Sequence, residues 1–409
     1  MPAIAETLAE WAYGFEPDAD DLALARRSLL DTVAVTLAGR GHPVSALAAE
    51  LPDAARWAAV GHVLDFDDLH IESTTHISVV IVPAVLAAGG DARAYLAGAG
   101  VMARLGTLLG WSHYAAGWHA TCTAGAPAAA VAAGVAWGLT PQQLATAMAL
   151  AVPGAGGVQA AFGTHSKSLQ VGFAAEAGVR AARLARAGAT ADPRAVDAWL
   201  KLVGAEATDE PTMPARPAVP GGLAIKIFPC CYAMQRPVAA LRTARELTGS
   251  TQDFTPSDVT AVHVTTPAAT VHPLIHDRPD TGLEGKFSLP YAVATALLDG
   301  FPGFGAFTDD AVRRPEARRL MAAVTTERTE GGAGLLDGEV DLTVTLDDGR
   351  VLRSSLAHPP GSPERPPTDA ELAEKFAACG SDVPALLKDM TWESARALLL
   401  AELPGKAPA

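Results

Sequence analysis

The apolar residues of this chain change their period at a proline-rich stretch. Before it the spacing is helical. Leu22, Leu29, Val33 and Leu37 share one face behind the acids Asp18, Asp20 and Asp21, and Gly39 closes the run. Thr140-Pro141-Gln142-Gln143 predicts a helix start, with Thr as cap, Pro in the first turn and Gln at the capping-box position. Pro153-Gly154 stops that helix. Ala174 to Ala187 repeats small residues, with Arg180, Arg183 and Arg186 at helical intervals. The break itself, Glu206 to Gly222, carries Pro211, Pro214, Pro217 and Pro220 and reads as an extended connector. Beyond it, Val259 to Thr265 is β-branched. Val340, Leu342, Val344 and Leu346 alternate with Asp341, Thr343 and Thr345. Asp348-Gly349 then predicts a turn, and Val351 to Leu356 the return strand. A second proline-rich stretch, His358 to Pro367, precedes a return to helix from Asp369. The expected fold is mostly α with a smaller α+β domain. Its parts are a large all-helical domain over 1–221, an inserted α+β domain over 222–365, and a C-terminal helical return over 366–409.

Composition narrows the function classes. Of 409 residues, 49% are hydrophobic, and alanine supplies much of that share, which favours close-packed helices. The net charge of −14 argues against nucleic acid and anionic membranes as partners. The start of the chain lacks a basic-then-apolar layout. The alanine-rich stretch Ala124 to Gly138 is broken by Gly125, Pro127 and Gly134 and is short for a membrane span. A soluble, cytoplasmic protein is expected. The spacing of Cys122, Cys230, Cys231 and Cys379 matches neither zinc nor iron–sulfur ligation. Buried free thiols are expected, and no metal or other cofactor.

Leu64-Asp65-Phe66-Asp67-Asp68-Leu69-His70, with His76 close behind, sets three aspartates and two imidazoles between apolar runs. Such like charge is costly unless cations, hydrogen bonds or protons offset it. A buried acid beside histidines is a candidate for proton transfer; the competing reading is a solvated loop or an acidic helix start. His119, in Gly117-Trp118-His119, precedes a small-residue helix and could meet an anion there or simply pack on Trp118. Lys167 lies among hydroxyls ahead of an alanine-rich helix and could bind a carboxylate or be an ordinary surface lysine. Lys226 is flanked by Ile225, Ile227 and Phe228, where a lysine snorkels out or pairs with an anion. Tyr291, beside Pro290 at a helix start, could donate a proton or pack its ring.

Together these segments resemble the MmgE/PrpD family. The resemblance runs from Leu29-Leu30-Asp31-Thr32 through Asp65-Phe66-Asp67-Asp68, Gly117-Trp118-His119 and Ala161-Phe162-Gly163-Thr164 with Lys167. It continues at Lys226 with Phe228-Pro229-Cys230-Cys231 and at Lys286 to Tyr291, and ends at Pro367 to Phe376. It implies a helical domain plus a smaller α+β lid, a homodimer, and metal-free chemistry on small di- or tricarboxylates. The catalytic set it implies is Asp65, His76, His119, Lys167, Lys226 and Tyr291. His119 and His76 would exchange protons, Asp65 would orient a histidine or share its proton, and the lysines would clamp the anion. Three positions depart from the family pattern: Leu69 replaces a threonine, and Gln170 and Gln235 replace histidines. The leading expectation is dehydration of a 2-methylcitrate-like hydroxy acid. Decarboxylation of a cis-aconitate-like acid, epimerisation of an imino- or amino-diacid, and a non-catalytic ligand-binding relative are the alternatives.

Overall fold

The computed structural model describes residues 2–205, 216–247, 254–330, 332 and 334–406. Most of the predicted connector, 206–215, lies outside the described residues. The chain divides into two compact units. The first comprises 1–160, 165–223 and 372–409; the second comprises 161–164 and 224–371.

Among the described residues, the named elements of the first unit are all helices. Asp18 caps the helix Ala19–Gly39 by accepting from the Asp21 amide, and Thr140, as the sequence predicts, caps Pro141–Ala151 within a capping box. Two helices are apolar all round and lie at the centre: Ser78–Ala88, buried from Ser78 to Leu86, and Ala120–Ala136, buried from Ala120 to Gly134. Alanine and glycine let the helices approach closely. A Cβ on Gly178 would lie 2.5 Å from the Ala129 Cβ and 2.6 Å from the Ala126 carbonyl, so the helix His165–Arg186 can cross Ala120–Ala136 only where a side chain is missing. That helix begins earlier than its alanine-rich portion suggests, so Lys167 lies in its first turn rather than ahead of it. Among the described residues, no helix is long and apolar enough to cross a membrane.

The second unit is built on a four-stranded mixed sheet. Its strands are β1 (Val259–Pro267), β2 (Val324–Thr329), β3 (Val340–Leu346) and β4 (Val351–Leu356), in the order β2-β1-β3-β4. β1 runs parallel to β2 and antiparallel to β3, with Val264 opposite Leu342 and Val262 opposite Val344. In β3 the four alternating apolar residues are buried while Asp341 is exposed. The helices Gln235–Leu247 and Pro315–Ala323 pack on this sheet, and Leu289–Asp299 packs against both of them. Phe162, Phe228, Phe287 and Tyr291 contribute to the core of this unit.

Candidate active site

The acidic motif sends its three carboxylates to three different partners. Asp65 ends the turn after the helix Asp53–His62, where its amide donates to the His62 carbonyl. Its backbone is left-handed, with φ of 53°. That conformation costs a non-glycine residue roughly 1–2 kcal/mol, and aspartate is among the residues that tolerate it. The Asp65 carboxylate accepts from Lys167 Nζ at 3.0 Å. Asp67 Oδ2 lies 2.8 Å from His62 Nδ1 and 2.9 Å from His76 Nδ1. Asp68 turns to the start of the helix Ser78–Ala88, accepting from the Ser78 amide at 3.1 Å and from the Ser78 hydroxyl. The carboxylate that holds the histidines is therefore Asp67, whereas Asp65 holds the lysine.

These contacts assemble six side chains of the first unit: His62, Asp65, Asp67, His76, His119 and Lys167. Lys167 Nζ lies 2.6 Å from His62 Nε2. The His62 ring stands 4.7 Å from the His76 ring and 5.7 Å from that of His119, centroid to centroid. The His76 amide donates to Thr121 Oγ1, which fixes the His76 loop on the helix that begins beside His119. All six are buried; Lys167 and His76 keep the most side-chain exposure, 8% and 11%. His62 was not anticipated from sequence. The signal available was its place three residues before Asp65, at the end of a helix that the acidic motif terminates.

The donor inventory assigns the protons. An ammonium donates only, so His62 Nε2 accepts from Lys167 and His62 Nδ1 carries the hydrogen given to Asp67. Burial holds the His62 imidazolium down to about 4; Asp67 opposes this and Lys167 adds to it. Burial pushes the Asp67 carboxyl up, but His62 and His76 outweigh it and hold Asp67 well below the ordinary carboxylate range. Burial, then Lys167 and the neighbouring imidazoles, hold His119 well below its ordinary value. Asp68 is pushed up by burial to about 7. With neutral imidazoles, the six side chains carry one ammonium and two carboxylates. The charge of Lys167 is thus already balanced within the cluster.

Donor atoms of His62, Asp65, Asp67 and His76 lie within 4.8 Å of one another, a spacing compatible with a metal ion. Lys167 Nζ, however, makes hydrogen bonds to two of these residues, so an ammonium already serves as the cation there.

The remaining predicted residues lie in the second unit. Lys226 is buried on the segment leading to Phe228-Pro229-Cys230-Cys231. Gln235 holds that segment: its Oε1 accepts from the Ile227 and Phe228 amides at 3.2 and 3.1 Å, and its Nε2 donates to the Phe228 carbonyl at 2.9 Å. Tyr291 is fully buried, and its hydroxyl donates to the Ala306 carbonyl. Burial raises its phenol above the ordinary value. Leu69 is buried. His70 is not part of the cluster; it bridges Ser73 and the Pro220 carbonyl at 2.7 and 2.6 Å. All four cysteines are buried thiols outside any disulfide.

A further buried lysine steadies the acidic loop. Lys375 Nζ pairs with Asp31 and donates to the Phe66 carbonyl at 2.8 Å, standing 4.3 Å from the centroid of the Phe66 ring. Both Lys375 and Asp31 fall within segments that carry the family resemblance.

Residues 4–200 match the MmgE/PrpD N-terminal domain and residues 228–396 match the MmgE/PrpD C-terminal domain. The chain belongs to the MmgE/PrpD family. Among the relatives of this family member is the cis-aconitate decarboxylase of Aspergillus terreus, 26% identical over 92% of this chain and 89% of that protein. The cis-aconitate decarboxylase of Homo sapiens is 25% identical over 69% of this chain and 58% of its own length. A cis-aconitate decarboxylase-like protein, oryM of Aspergillus oryzae, is 29% identical over 44% of this chain. These relatives support an MmgE/PrpD lyase role at the level of the family.

Proposed function

We propose that this MmgE/PrpD chain is a lyase that moves a proton on a carbon beside carboxylates, and that it decarboxylates a cis-aconitate-like tricarboxylate. The observation that carries the reading is the buried relay Lys167–His62–Asp67–His76, which couples an ammonium, two imidazoles and a carboxylate through hydrogen-bond distances. The relatives named for cis-aconitate decarboxylation favour this reaction over dehydration.

In the proposed reaction the bond from carbon to the departing carboxylate breaks and carbon dioxide leaves. The electron pair shifts across the adjacent double bond, and the allylic carbon so charged takes a proton. A trianion plus one proton thus yields a dianion plus carbon dioxide. His76 is the proposed proton carrier. Asp67 at its Nδ1 favours the imidazolium, which delivers the proton from Nε2 and regains it from water. Because the cluster holds more carboxylate than ammonium, binding of a polyanion favours proton uptake by His76, whose Nδ1 faces Asp67. Lys226 and Tyr291 belong to the proposal through sequence resemblance.

The second reading is dehydration of a 2-methylcitrate-like acid, favoured by the presence of several imidazoles, since water loss needs a base and an acid together. Purified protein incubated with cis-aconitate, 2-methylcitrate and citrate separates the two. Release of carbon dioxide from cis-aconitate with an unsaturated diacid as product supports the first. Loss of water from 2-methylcitrate without carbon dioxide supports the second. No turnover of any of the three overturns both.

A further inference from the structure

Gln170 stands one helical turn beyond Lys167, at a position where the family pattern has a histidine. Its Oε1 lies 3.1 Å from the Val158 amide nitrogen. Its Nε2 lies 3.4 Å from the Val158 carbonyl and 2.7 Å from His119 Nδ1. A backbone N–H can only donate, so the amide oxygen must face it, and the opposite orientation would set Oε1 against the Val158 carbonyl. The NH2 group therefore points at His119. An amide NH2 donates and does not accept, so His119 Nδ1 must present its lone pair. The neutral ring then carries its hydrogen on Nε2.

The backbone holds both partners in register. His119 N donates to the Gly157 carbonyl at 2.9 Å, Gln159 N donates to the Gly117 carbonyl at 2.8 Å, and Trp118 bridges Val158. The segment that anchors Gln170 is thus the one paired with His119. Gly157 is tightly fitted between them: a Cβ there would lie 2.9 Å from the Cys122 Cβ and 3.2 Å from the Gln170 Cδ, at a φ of 135°.

We infer that Gln170 is a positioning residue that locks His119 in its Nε2–H form, so that His119 serves as a hydrogen-bond donor to charge developing on the substrate and not as a proton-abstracting base. His76 has the opposite arrangement. Its Nδ1 faces the Asp67 carboxylate, which leaves Nε2 as the basic nitrogen of the neutral ring. One site then offers two imidazoles fixed in complementary tautomers by a carboxylate and an amide. The groups facing His119 are Lys167, His62, His76, Asp65 and the thiol of Cys122, whose Sγ is 3.3 Å from Nδ1. Burial, then Lys167 and the two imidazoles, discourage protonation of the ring, and Asp65 opposes them. A neutral donor aimed at a developing enolate is a preorganised electrostatic stabiliser. The catalytic part of this inference rests on the proposed lyase function; the tautomer does not.

Nitrogen-15 NMR of the histidine-labelled 409-residue chain tests it, with the His119 signals assigned by comparison with His119→Asn. At neutral pH the wild type is expected to show a pyridine-type Nδ1 and a pyrrole-type Nε2. A pyrrole-type Nδ1 overturns the inference. In Gln170→Glu a carboxylate faces Nδ1, so the pyridine-type Nδ1 signal should be lost. An unchanged pattern in that variant, with folding verified by thermal melting, also overturns the inference. On a substrate turned over by wild type, Gln170→Glu should lower kcat by roughly 10²-fold, the low end of acid–base contributions, while KM changes little. A switched tautomer with unchanged kcat overturns the catalytic role. If wild type turns over no polycarboxylate, the lyase reading fails, and the nitrogen pattern still decides the tautomer.

Discussion

Lys375 Nζ lies 2.6 Å from Asp31 Oδ1, and each side chain is only 1% exposed. Burial pushes the Asp31 carboxyl up, and Lys375 opposes this. Removing one partner of such a pair leaves a buried charge uncompensated. Lys375→Met should therefore lower unfolding free energy by about 3–5 kcal/mol in urea denaturation. Asp31→Asn combined with Lys375→Met should recover much of that loss. If the double variant is as unstable as the single one, the ion pair is not the reason for the loss.

Two buried groups pull stability in opposite directions with pH. His62 is held at about 4 against an ordinary 6.5, so the unfolded chain binds its proton first and stability falls as pH drops from 6.5 towards 4. Asp68 is raised from 3.8 to about 7, so its contribution is full below 3.8 and is lost as pH rises through 7. Asp68→Asn removes only the second effect. Its unfolding free energy should fall more steeply than that of wild type on acidification from pH 7 to 4. A shallower slope would contradict the assignment.

Gly157→Ala should cost about 1–3 kcal/mol, because alanine must adopt a positive φ while its Cβ meets Cys122. The thermal midpoint measures the loss. The same substitution should disturb the nitrogen pattern of His119 through the displaced Gln170. An unchanged midpoint would mean that the Gly117–Gln159 pairing relaxes at little cost.

Chelator treatment should leave turnover unchanged, since Lys167 already provides the cation between Asp65 and His62. Lys167→Met should lower kcat by at least about 10²-fold, as the ammonium orients the relay. Activity lost to chelator and restored by a divalent ion would reassign the four-residue cluster as a metal site.

Much of the architecture was legible because local signals agreed with tertiary demands. The capping box at Thr140 and the alternation from Val340 to Leu346 both describe what the structure forms. β2 was missed because only Val324 in it is buried; the other five residues are exposed, so no alternation marks the strand. At the site, the acidic motif announced itself by its cost in a largely apolar neighbourhood. The division of labour among Asp65, Asp67 and Asp68 was not readable, because it depends on a left-handed turn and on partners up to 102 residues away. His62 escaped notice for a similar reason: within its helix it is, like Arg56, a buried polar residue among alanines. Gln170 read as a departure from a pattern, and only its anchor on Val158 gives it a role.

The Lys375 contact also sets an order of events. The loop bearing Asp65 and Asp67 leaves the ribosome well before the side chain that compensates Asp31 and grips the Phe66 carbonyl, which lies 309 residues beyond Phe66. Arrival of that lysine, rather than collapse of the helices, becomes the moment at which the acidic loop locks.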